Sequence, residues 1–174
     1  MTDMPYMVLL AGPAGCGKST VARELGNRLG YAVVSSDAIR KEIYGDEEDQ
    51  TDPSRVFGIA HNRALQLLQY GYSVVFDATN CRKWHREAVL RTLEDVECCK
   101  ICAVSKLPLE ECLARNQARD RRVPEAVISR MIRDLEAEPP SVDEGYYMVC
   151  DMDDVVDIMI FLGLKSENVE LAML

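Results

Sequence analysis

The sequence predicts an α/β fold in three layers, with helices on both faces of a mostly parallel sheet, and three observations lead there. Gly12-Pro13-Ala14-Gly15-Cys16-Gly17-Lys18-Ser19-Thr20 is a complete G-x-x-x-x-G-K-[ST] loop. It lies between a short apolar run, Tyr6 to Leu10, and residues recurring at helical spacing, Val21, Ala22, Leu25 and Leu29. Apolar runs and amphipathic helices then alternate along the rest of the chain, the pattern of β-α-β units.

The 174 residues suit one domain, 1–174, and a hydrophobic fraction of 48% is enough for a sizeable core. No apolar run approaches the ~20 residues of a membrane span. Met1 to Pro5 carries Asp3 and no basic segment, so a cytoplasmic location is expected. Seven cysteines, an odd number scattered through apolar segments, suit reduced thiols better than a disulfide framework. Cys99 and Cys102 form a lone C-x-x-C whose members point to opposite faces of a strand, with no second pair to complete a metal site.

The loop carries the chemistry. Its glycines let successive N–H groups turn inward around the α- and β-phosphates of a nucleoside triphosphate, Lys18 reaches the β- and γ-phosphates, and the Ser19 hydroxyl can ligate Mg²⁺. The following helix points its positive end at the same phosphates. Cys16, a thiol inside the loop beside Lys18 and a helix N-terminus, stands where a cysteine can be reactive.

Taken in order, Tyr31 to Val34 is a second strand, followed by Ser35-Ser36-Asp37 and a short helix, Ala38 to Tyr44, stopped by Gly45. Asp37 and Arg40 share one helical face at the sheet edge where α/β proteins bind ligands. Spacing alone fits an N-cap aspartate with a surface arginine equally well. Asp46 to Asp52 is a solvated acidic loop, and Val56 to Leu68 an amphipathic helix ending near Gly71. His61 has no partner at metal-ligand spacing.

Tyr72 to Phe76 is a third strand, and Asp77-Ala78-Thr79-Asn80 follows it as an apolar strand ending in aspartate. Asp77 there can hold Mg²⁺ or contact an acceptor hydroxyl, or it can cap the next helix. That helix lies within Cys81 to Glu94, with Trp84, Ala88, Val89 and Leu93 expected inward and His85 on the surface among Arg82, Lys83 and Arg86. Val96 to Val104 is a fourth strand. Pro108 and Pro124 open two further helices, joined by the basic connector Arg119 to Val123. Such a connector suits a mobile lid, approximately 115–133, or an ordinary solvated helix end. The last readable segment, Tyr146 to Cys150 with Val155 to Phe161, fits a final strand or hairpin, while Lys165 to Leu174 carries no pattern.

Twenty-nine acidic against twenty basic residues give a net charge of −9, which disfavours an extended nucleic-acid interface. The positive charge is uneven, however. Arg115, Arg119, Arg121, Arg122, Arg130 and Arg133 fall in one segment and leave room for docking a single strand end.

Together the loop, Ser35-Ser36-Asp37 with Arg40, Asp77-Ala78-Thr79-Asn80, Arg115-Asn116-x-x-Arg119, Val123-Pro124 and Val127-Ile128-x-Arg130-Met131 resemble the polynucleotide-kinase-like P-loop kinases. The resemblance spans about residues 6–150. It implies a P-loop NTPase fold with an Arg-rich lid and a kinase using ATP and Mg²⁺. By the same resemblance Gly12, Ala14, Gly15, Cys16, Gly17, Lys18, Ser19, Thr20, Arg115 and Arg119 would hold ATP, with Mg²⁺ on Ser19 and Asp77. Asp37 would be the general base, Arg40 the holder of the acceptor's anionic group, and Lys18, Arg119 and Arg122 the groups that stabilise the transferring phosphate, with Asp77 beside acceptor and metal. The acceptor implied is a polynucleotide 5′-OH end; a nucleoside, metabolite or antibiotic is the alternative, favoured by the net acidity. A slow ATP-hydrolysing switch is the competing class, and it has no use for a base at acceptor distance.

Overall fold

The computed structural model describes residues 4–172, with side chains through Gly163. The expectations placed on Met1 to Asp3 and on the side chains of 165–174 lie outside these residues. Five strands, β1 (Tyr6–Ala11), β2 (Ala32–Ser35), β3 (Val74–Asp77), β4 (Cys99–Val104) and β5 (Met148–Asp151), form one sheet in the order β2-β3-β1-β4-β5. Every pair is parallel, so each connection must cross a face of the sheet and bring a helix with it.

The alternation of β1 assigns the two faces. Met7, Leu9 and Ala11 enter one core with Val56, Ala60, Ala64 and Leu68 of α3 (Pro53–Gln69) and Val89 of α4 (Lys83–Thr92). Val8 and Leu10 enter the other with Ala22 and Leu25 of α1 (Lys18–Leu29), Cys112 of α5 (Leu109–Gln117) and Met159 of α7 (Val155–Ala172). Strands buried on both faces read as continuous apolar runs, as β1 does. Cys99 and Cys102 do lie on opposite faces.

Three expectations are corrected. Val155 to Phe161 is helix, not strand or hairpin: Val155, Val156 and Met159 bury against α1, and β5 joins the sheet parallel to β4. A short apolar run does not by itself distinguish strand from buried helix. Trp84 is 58% exposed, whereas Arg86, expected at the surface, is fully buried and His85 is half-buried. Asp37 is not a helix cap. Ser35 caps α2 (Ser36–Tyr44), its Oγ accepting from the Ala38 amide at 3.4 Å, and Asp37 sits inside the first turn.

The carboxyl ends of β1, β2 and β3 are aligned: Asp77 is in register with Leu10 on one side and Ser35 on the other. Loops from those strand ends, with α5 and α6 (Glu125–Ala137), line a cleft at this edge of the sheet.

Candidate active site

The loop after β1 folds around its glycines. Gly15 (φ 82°) and Gly17 (φ 99°) are left-handed, and a Cβ at Gly15 would come within 3.0 Å of the Cys112 carbonyl. The loop therefore packs directly on α5, and only glycine fits there. Lys18 is buried and its Nζ donates to the carbonyls of Gly12 (2.9 Å) and Pro13 (2.6 Å), folded back over the loop where a phosphate would replace them. Cys16 is 7% exposed, its sulfur 3.7 Å from Lys18 Nζ. Burial behind Gly12 restricts access to the thiol that the sequence marks as reactive.

Ser19 Oγ donates to Asp77 Oδ2 at 3.2 Å. Burial raises the Asp77 pKa, a shift opposed by the charge of Lys18 and the Ser19 hydrogen bond, and reinforced by Asp37. Asp77 does not cap α4, whose N-cap is Arg82. A hydroxyl beside a carboxylate at a phosphate cradle is the donor set Mg²⁺ takes when nucleotide phosphates and water complete its octahedron. No cluster of three or more His, Cys, Asp or Glu suited to a metal occurs among the described residues, so the protein's share of such a site is small.

Across the cleft, Arg40 Nη1 donates to Asp37 Oδ1 at 2.7 Å, one helical turn away. Arg40 is 6% exposed and its Nε is buried without a hydrogen-bond partner, while the Asp37 side chain is 46% exposed. A buried guanidinium with a spare donor beside an open carboxylate is arranged to receive an anionic group next to a proton acceptor.

The arginine segment of α5, the connector and α6 forms the third side. Arg115, Arg119, Arg122 and Arg130 line the same cleft, about 840 Å³ in volume, as Lys18, Asp37 and Asp77. Arg133, expected with them, instead faces a second cavity behind the loop. A Cβ at Gly17 would lie 3.5 Å from Arg115 Nη1, so this arginine approaches the phosphate cradle closely.

Three residues whose individual contacts the sequence did not reveal shape the site. Asn116, buried in α5, donates to the Val123 carbonyl (2.8 Å) and accepts from the Val123 amide (2.9 Å), clipping the two ends of the lid connector together. Arg121 reaches back to Asp37 and to Glu47 and Glu48 of the acidic loop. Arg86 donates to the carbonyls of Asn80, Cys81 and Glu138 and to both oxygens of Glu144. It thereby fixes the loop after Asp77, which is also tied to the phosphate loop by Asn80 Nδ2 to the Leu10 carbonyl (2.7 Å) and the Gly12 amide to the Thr79 carbonyl (2.8 Å). Asn116 stood in the Arg115-Asn116-x-x-Arg119 motif without a role of its own, and its place as an asparagine inside a helix is the local signal that could have found it. Arg121 stood in the arginine segment without a partner of its own, and Arg86 in a basic run that carried no signal.

Comparison with known proteins adds four findings. A family model described as an AAA domain matches residues 7–138. The 2-phosphoglycerate kinase of Pyrococcus horikoshii is 51% identical over 41 residues, 23% of this chain and 14% of that protein. A chain in the structure of the Pnkp1/Rnl/Hen1 RNA repair complex superposes with a TM-score of 0.69 at 24% identity, covering 77% of this chain and 45% of that one. A gluconokinase from Sinorhizobium meliloti 1021 covers 97% of this chain and 98% of its own at 16% identity and a TM-score of 0.63. The chain thus spans less than half of the RNA-repair protein it matches, and at these identities the structural likeness is one of fold.

Proposed function

The chain belongs to this AAA-domain family, and from that premise we propose that it is an ATP-dependent kinase of the polynucleotide-kinase-like group, transferring the γ-phosphate to a polynucleotide 5′-OH end. The observation that carries the reading is the placement of Asp37, held by Arg40, in one cleft with Lys18, Ser19 and Asp77. A switch protein would gain nothing from a second carboxylate there.

In this reading the acceptor hydroxyl gives its proton to Asp37 as its oxygen bonds to the γ-phosphorus. The bond from that phosphorus to the β-phosphate oxygen breaks, and ADP leaves. Arg40 keeps Asp37 Oδ1 occupied, so Oδ2 is the oxygen that receives the proton once Arg121 moves aside. Lys18, Arg119 and Arg122 meet the charge that spreads over the transferring oxygens, and Arg115 packs by the cradle. Ser19 and Asp77 would hold Mg²⁺, which when bound would neutralise phosphate charge. Asn116 and Arg86 hold the arginine connector and the loop after Asp77 in position. Seven free cysteines suit action in the cytoplasm.

A nucleoside, metabolite or antibiotic acceptor is the second reading. Glu47 and Glu48 stand beside Asp37 across Arg121, an acidic rim that repels a long polyanion. Transfer of labelled γ-phosphate from Mg·ATP to a 5′-OH oligonucleotide, against a panel of nucleosides and sugar acids, separates the two. Labelling confined to the small acceptors overturns the first.

A further inference from the structure

The acceptor side of the cleft contains a row of aromatic rings for which phosphoryl transfer itself has no use. Phe57 of α3 and His85 of α4 both line the cleft; their rings are 5.9 Å apart and 15° from parallel. Trp84 adjoins His85 outside the cleft lining, its ring centroid 3.8 Å from that of His85 and tilted 51° to it, with its face open to solvent. At the inner end the Arg40 guanidinium lies 6.0 Å over the Phe57 ring. The sequence of contacts therefore runs from Asp37 through Arg40, Phe57 and His85 to Trp84.

Resting on the reading of the acceptor as a nucleic-acid end, we propose that Trp84, His85 and Phe57 form a stacking shelf for the base of the nucleotide whose 5′-hydroxyl is phosphorylated. Val127 and Met131 of α6 line the same cleft and supply an apolar ceiling, with Arg130 beside them to meet a phosphate of the strand. A flat ring fits between such surfaces, and stacking accepts any base, because every base has a π face. Arg40, nine-tenths buried with an unpartnered Nε, marks the place for the first anionic group past the terminal sugar. A sugar acid or glycerate would use Arg40 and leave the three rings idle. Burial, with Arg82 and Arg86 nearby, lowers the His85 pKa, so the imidazole is neutral at pH 7 and offers a π face rather than a charge.

Trp84 is the sole tryptophan in the sequence, so its emission reports directly on the shelf. The experiment titrates wild-type protein, saturated with ADP, with a short 5′-OH oligothymidylate and with the same strand carrying an abasic 5′ residue, and measures γ-phosphate transfer to each in parallel. Saturable quenching by the base-bearing strand alone is expected, with kcat/KM about tenfold above that of the abasic strand. Trp84→Ala should make the two strands equivalent without changing the KM for ATP, and Trp84→Phe should restore most of the preference. Transfer to both strands with equal kcat/KM, or without quenching, overturns the shelf and leaves the kinase reading standing. Saturable quenching without transfer overturns the kinase reading and leaves the shelf; neither quenching nor transfer overturns both.

Discussion

Arg121 Nη1 lies 3.4 Å from Asp37 Oδ2, so the connector between α5 and α6 is tied to the carboxylate proposed as the general base. The same side chain reaches Glu48 through Nε at 2.9 Å and Glu47 at 3.4 Å. Three carboxylates on one guanidinium at 22% exposure make a latch between the lid and the acceptor side. Each such exposed pair contributes only ~0–1 kcal/mol and is screened by salt. Arg121→Ala should therefore leave the melting temperature nearly unchanged while speeding amide exchange over 118–124 and 46–50, and high salt should mimic it in the wild type. Unaltered exchange in the variant would remove the latch.

Asp37→Ala should lower transfer at least 100-fold with ATP affinity nearly intact, because the base acts on the acceptor rather than on the nucleotide. Lys18→Ala should weaken both, since Lys18 faces the phosphate cradle. Arg122→Ala should slow turnover more than it weakens ATP binding. Transfer by Asp37→Ala above about a tenth of wild type would take that residue out of the base role.

Asp77 links nucleotide chemistry to stability. Its pKa in the folded protein is raised by burial above the unfolded value, so the folded state holds the proton more tightly. This contribution is full below the unfolded pKa and is lost as pH rises through the folded one. At pH 7 the buried charge costs stability. Asp77→Asn should thus raise the melting temperature of the nucleotide-free protein by a few degrees at neutral pH, with the gain vanishing in acid. The same variant should lose the additional stabilisation that Mg²⁺ gives with ATP. A melting temperature unchanged or lowered at pH 7 would contradict the assigned cost.

Arg86 and Glu144 form a buried pair, 2.7 Å apart at 0% and 4% side-chain exposure. Arg86→Met leaves Glu144 charged and uncompensated in the core, at a cost of about 3–5 kcal/mol in denaturant unfolding. Arg86→Met with Glu144→Gln should recover a large part of that loss. Transfer should fall even in the double variant, because the loop after Asp77 loses the guanidinium that binds its carbonyls. Full activity in a stably folded double variant would leave Arg86 a purely structural role.

The sequence by itself determined the elements whose signals are local. Tyr6 to Leu10, the glycine loop and the periodic helix behind it could only be a strand, a phosphate cradle and a helix. The apolar run ending at Asp77 was legible for the same reason, as was the resemblance that ordered Asp37, Arg40 and the arginine segment. Tertiary structure decided what depends on partners far along the chain. Arg86 reads as one more charge in a basic run, and only Glu144, 58 positions away, with three carbonyls, makes its burial affordable. Trp84 occupies a helix turn that could face either way until His85 and Phe57 claim the inner side. Val155 to Phe161 is short and apolar enough for strand or helix, and packing on α1 resolves it. Arg121 meets Asp37 across 84 positions, a pairing with no trace in local spacing. Periodicity reports which way a side chain leaves its own backbone; burial, pairing and the assembly of a cleft follow from which other backbones arrive there.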